Sequence, residues 1–155
     1  MAMSTRNAAI TWVVSVSRFL GILVYIAAFF LPACREVAGL DGDAPTVLLG
    51  SRCALITLAN TFSHDIWHSK YFLAILSGWI NPLIVVYLIF LLIPAFLWPR
   101  RVVTCLILCF IASTWVFFHI YPLVPLIGHF LWIAGILMIL AGEAFPQGKA
   151  ALAAD

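Results

Sequence analysis

The sequence predicts an all-α integral membrane protein, a four-helix transmembrane bundle with an extracytoplasmic loop containing short interfacial helices. Three observations carry that prediction. The chain is 65% hydrophobic and only 9% charged, where soluble domains are about 25% charged, and its mean hydropathy is +1.15. Its apolar residues fall in long runs punctuated by Pro, Trp and Arg. A bilayer core takes roughly 20 apolar residues per helix, so 155 residues fit four spans and one loop in a single membrane domain, 1–155.

The first span is expected at 8–33, interrupted by Ser15, Ser17 and Arg18 and closing at Pro32. Its basic start and its Leu31-Pro32-Ala33-Cys34 end have the outline of a lipoprotein signal. The segment is long for one, and a proline two places before the cysteine is unfavourable, so an uncleaved helix is expected. The outer loop, 34–80, holds Glu36, Asp41, Asp43 and Asp65, two of the cysteines and two of the histidines. Within it, the apolar run 53–62 is cut by Ser63-His64-Asp65 at about half a membrane thickness. That run and 66–78 are expected as short helices on the outer surface.

The second span is expected at 81–98, with Asn81 as N-cap and Pro82 at the first helical position. Pro99-Arg100-Arg101 then reads as the turn into a third span at 102–119, and Tyr121-Pro122-Leu123-Val124-Pro125 as the break before a fourth at 126–145. Arg6, Arg18, Arg100, Arg101 and Lys149 fall on one side, against Arg35, Arg52 and Lys70 on the other. By the positive-inside rule both termini are cytoplasmic, in a bacterial inner membrane. A formal charge of +2 is too small to point to a nucleic-acid partner.

Small residues mark where helices approach. Gly128, Gly135 and Gly142 recur every seven residues on the fourth span, and Gly21 and Ala28 give the first a similar narrow face. Such faces let helices pack closely in lipid, where apolar area alone does not drive association. Cys105, Cys109 and Ser113 form another small stripe, expected to pack.

Candidate chemistry is sparse. Cys34 and Cys53 lie in the outer loop, where a disulfide would close about 20 residues and contribute roughly 3 kcal/mol. The chain lacks the Cys-x-x-Cys pair on which membrane thiol oxidoreductases depend, which argues against thiol redox chemistry. Arg18 and Glu143 are ionisable residues within or at the edge of spans, and are expected to form an intramembrane ion pair. His64, His68, His119 and His129 all fall near the outer surface and could ligate a metal or haem iron. Ser63-His64-Asp65 is not a triad, because a triad is made by geometry rather than adjacency. No nucleophile elbow or phosphate loop is present.

These readings lead to a small polytopic membrane protein that is more accessory than enzyme. It would be a scaffold subunit or a protective protein, recognising a membrane-protein partner or a second copy through its outer loop, with the bilayer around it and no cofactor. The alternative is a metal- or haem-binding redox protein using the four histidines.

Overall fold

The computed structural model describes residues 5–37, 46–62, 72–121 and 123–143. Five α-helices dominate them: α1 (Thr5–Ala28), α2 (Gly50–Asn60), α3 (Phe72–Leu91), α4 (Leu97–Ile120) and α5 (Ile127–Leu140). Three short strands accompany them, β1 (Pro32–Glu36), β2 (Val47–Leu49) and β3 (Leu123–Pro125). Two helical segments, Ala9–Ala28 and Leu97–Ile120, are long and apolar enough to cross a membrane. Ile75–Leu91 and Ile127–Glu143 are apolar but shorter.

The core lies where α3, α4 and α5 meet. Ile80, Ile84 and Tyr87 come from α3, Val103, Ile107 and Ile111 from α4, and Ile136, Ile139 and Leu140 from α5. Spacings of three and four put each set on one helix face, so the three stripes interlock as a single cluster. A 3-10 turn, Ala141–Glu143, extends α5 and places Glu143 at its end.

α1 lies against α5 through the glycine groove. A Cβ on Gly135 would fall 2.6 Å from the Tyr25 backbone nitrogen, and one on Gly21 would fall 2.8 Å from the Gly135 carbonyl oxygen. One turn-set further along, a Cβ on Gly128 would meet the Pro32 carbonyl oxygen at 2.7 Å, while Gly142 lies under the Arg18 guanidinium. All three glycines of the seven-residue repeat therefore face α1 and the chain leaving it. Ser17 Oγ adds a hydrogen bond to the Met138 carbonyl across the same seam, at 3.2 Å.

The expected loop folds into a small antiparallel sheet of order β2-β1-β3. Cys34 pairs with Leu48 on one side and Pro125 on the other, and a bulge separates Pro32 from Cys34. The segment 121–125, expected only as a helix break, thus returns to the chain that leaves α1. Leu126 N–H donates to the Ala33 carbonyl at 2.8 Å and extends that link. The helix α2 is docked on the same point: Gly50 and Ser51 N–H donate to the Leu31 and Phe29 carbonyls at 3.0 and 2.9 Å. These are first-turn amides, which have no partner inside their own helix.

Four expected boundaries are corrected. The first span, expected at 8–33, ends as a helix at Ala28, and Pro32 and Ala33 belong to β1; the surface helix expected at 66–78 is replaced from Phe72 onward by the start of α3. Asn81-Pro82 does not begin a helix but sits inside α3, which starts at Phe72. Asn81 spends its side chain on neighbouring helices rather than on a cap, and Pro82 forfeits only the bond to the Gly78 carbonyl. The turn between α3 and α4 is at Leu92–Phe96 rather than at Pro99-Arg100-Arg101. Hydrogen bonds from Leu92 to Ile89, Ile93 to Phe90 and Phe96 to Ile93 close it. Pro99 is then the third residue of α4, where a missing N–H costs nothing.

Gly135→Ala forces α1 away from α5 and costs about 1–3 kcal/mol. Thermal unfolding in mild detergent should show a lower midpoint than for the unaltered chain. An unchanged midpoint would mean that α1 is not held on this groove.

Candidate functional site

Beneath the sheet, at one end of the helices, lies a cavity of about 300 Å³. Its walls come from β1 and the first turns of α2, from α3 near Asn81, from the last turns of α4, and from the start of α5. Phe29, Phe117, Phe118, Ile56 and Trp132 make most of this lining apolar; Glu36, Thr57, Ser77 and Thr114 also reach it, and three further polar features stand out.

The first is Asn81. Its Oδ1 accepts from Tyr25 Oη at 2.9 Å and from Trp132 Nε1 at 3.1 Å. One side chain thereby joins α1, α3 and α5, and the amide is fixed with its NH2 as the end that neither donor engages. The second is His129, only 7% exposed. Its ring stacks on Trp132 with centroids 5.7 Å apart and meets Phe118 edge-on at 4.6 Å, with Trp115 at 5.8 Å. Its Nε2 has no hydrogen-bond partner among the described residues. Buried polar atoms are nearly always satisfied, so an unpaired one on a cavity wall marks a place for a ligand atom.

The third feature is the cysteine pair. The disulfide expected between Cys34 and Cys53 is not formed: their Sγ atoms lie 3.5 Å apart, as free thiols in hydrogen-bond contact. An S–S bond is about 2.05 Å long. The hydrogen bond from Cys53 lowers the Cys34 thiol below the ordinary cysteine range, against the opposing effects of burial and of the Glu36 charge. The same bond, with burial, pushes the Cys53 thiol up. With Cys53 as the donor of this contact, Cys34 is the sulfur that ionises first.

The remaining expected residues are dispersed. His119 is exposed at the end of α4, and His64 and His68 lie outside the described residues. Among the described residues no group of three or more His, Cys, Asp or Glu side chains is placed to hold a metal ion. Cys105 and Cys109 are exposed on α4 rather than packed in a helix contact.

At the other end of the helices, charge is concentrated on one oxygen. Glu143 Oε1 lies 3.5 Å from Arg18 Nη2 and 2.9 Å from Arg100 Nε, and accepts a hydrogen bond from Tyr87 Oη at 2.9 Å. Arg100 Nε is a close ionic contact rather than an aligned hydrogen bond, since its N–H finds no acceptor in line. Reading Arg100 as a turn residue hides its part in this cluster. Its position beside the long apolar run of α4 is the signal that could reveal it. Arg100 is the more buried of the two arginines, with 9% of its side chain exposed against 19% for Arg18.

Removing the shared carboxylate strands the buried Arg100 cation and the partly buried Arg18, so Glu143→Gln should cost about 3 kcal/mol. Arg100→Gln should cost less, and Arg18→Gln least, about 1 kcal/mol, because its contact is longer and wetter. Detergent melts rank the three, and an Arg18→Gln loss equal to that of Arg100→Gln would contradict the unequal sharing.

The thiol pair gives a pH test. Because the Cys34 pKa is lowered, its thiolate is populated at lower pH than that of Cys53, and iodoacetamide should label Cys34 first as pH rises. Cys53→Ala removes the donor and should move the Cys34 midpoint upward. Labelling read by peptide mass spectrometry checks both, and simultaneous labelling with a common midpoint would rule out this asymmetry.

No protein-family model, no curated protein and no solved structure matches this chain.

Proposed function

We propose that this protein is a four-span membrane bundle that binds an apolar small molecule with a polar end in the cavity beneath its outer sheet. The observation that carries the reading is His129: a buried ring on the wall of an apolar cavity with an unpaired nitrogen. Pockets for small ligands have this composition, mostly apolar with a few placed polar groups.

The membrane setting is supported by what the helices expose. Only 11% of the apolar window of α1 and 17% of that of α4 is buried, less than a soluble core helix would bury. α1 presents Trp12, Val16, Phe19 and Leu23 outward along one face, α3 presents Val85 and Ile89, and α5 presents Phe130 and Leu137. Unpartnered apolar faces of this extent fit lipid as their neighbour. In this reading α1, α3, α4 and α5 all cross, both termini are cytoplasmic, and the sheet and cavity lie at the outer face. The ligand then enters from the bilayer.

The accessory-subunit reading placed recognition on the outer loop, much of which falls in 38–45 and 63–71, outside the described residues. The cavity is built from described ones, and it carries the proposal.

The test is native mass spectrometry of the protein extracted from its own membrane in mild detergent. An apolar molecule of defined mass should stay bound to the wild type and be lost from Ala54→Phe, which fills the cavity from α2. A protein that retains no small molecule but elutes with a stoichiometric partner would replace this reading with that of an accessory subunit.

A further inference from the structure

We propose that Cys34 and Cys53 are a redox couple, oxidised to a disulfide by a membrane quinone seated in the cavity; this rests on the ligand-binding reading above, names its ligand class, and makes the bound molecule a reactant. The two thiols come from separate elements, the middle strand β1 and the first turn of α2, 19 positions apart in sequence. The fold nonetheless sets their sulfur atoms 3.5 Å apart, and both residues line the cavity. Spacing along the chain therefore understates this pair: folding supplies the proximity that a Cys-x-x-Cys turn would supply locally.

The chemistry limits the partner to a two-electron acceptor. Two S–H bonds break and one S–S bond forms, releasing two electrons and two protons. The acceptor must take the two electrons, and a quinone takes the two protons as well, its two carbonyl groups becoming the two hydroxyls of a hydroquinone. It must also reach a mostly apolar cavity through lipid and present oxygen atoms that can be hydrogen-bonded there. Quinones are the bilayer solutes that combine these properties.

The cavity wall has the complementary groups. His129 Nε2, without a hydrogen-bond partner among the described residues, is placed as a donor to one carbonyl oxygen in the tautomer that protonates it. The Asn81 amide, held through its oxygen by Tyr25 and Trp132, offers N–H donors on the same wall. Both are positioning residues. With Cys53 as the donor of the shared contact, Cys34 starts the oxidation, because thiolate is the reactive form of cysteine.

The experiment uses the full chain, reduced, freed of reductant in mild detergent and mixed with a short-chain ubiquinone analogue. Native mass spectrometry reads binding, alkylation followed by mass spectrometry counts free thiols, and ultraviolet absorbance reads quinone reduction. One quinone should be reduced for each pair of thiols lost. Cys34→Ser and Cys53→Ser should each bind the analogue and reduce none. His129→Ala should raise the half-saturating concentration about tenfold, as expected for one lost hydrogen bond, while its thiols still oxidise with a small disulfide reagent. A wild type that binds the analogue but keeps both thiols overturns the redox inference and leaves ligand binding intact. Failure of the analogue to bind while another apolar molecule copurifies overturns the quinone assignment alone, and failure of every apolar molecule to bind overturns both readings.

Discussion

The close approach of α1 to α5 is the constraint on which the rest of the structure depends. Gly21 and Gly135 bring two backbones to a distance that no side chain would permit. Gly128 does the same where α1 gives way to β1. Because β1 follows α1 directly and β3 precedes α5 directly, the register of one helix on the other also sets the register of Cys34 on Pro125. The placement of Cys34, and of His129 on the same cavity's wall, follows from that seam. Close backbone approach of this kind is how helices associate where apolar area does not drive them together.

Two polar nodes lock what the glycines bring together. Asn81 Oδ1 collects donors from α1 and α5 at one level, and Glu143 Oε1 collects groups from α1, α3 and α4 at another. Both are single oxygens shared by several partners, so each fixes helix rotation as well as distance. The two differ in cost. The Asn81 node is neutral and fully hydrogen-bonded at its oxygen, whereas the Glu143 node holds two cations on one anion and depends on its partial exposure to remain tolerable.

How much of this was legible follows from the range of the signals. The apolar runs of α1, α4 and α5 and the glycine repeat are long and periodic, and they point to helices and to a close helix contact. Asn81-Pro82 misleads, because an N-cap pair and a buried interhelical acceptor followed by a tolerated proline are the same two letters. The sheet is invisible, since strands of three to five residues are too short for an alternating pattern and β3 pairs with a strand far away in the chain. The sequence suggests Cys34 and Cys53 as partners through their placement around one loop, but not their state as adjacent thiols. The aromatic cage of His129 draws on Trp115 and Phe118 from α4, and no local pattern announces it. Burial of Arg100 hinges on where α4 begins, which the proline and the arginine pair obscure.

The central position of β1 has a consequence for biogenesis. Its edge toward β2 is satisfied by residues that emerge soon after it, whereas its other edge must wait for Leu123–Pro125, synthesised after α3 and α4. Through most of translation β1 therefore has one strand edge without its partner, and the cavity lacks the walls that α4 and α5 supply. Closure arrives only with the last helix hairpin, so delivery of α5 to α1 is both the final assembly step and the moment at which the thiols pass from an open surface to a sheltered one.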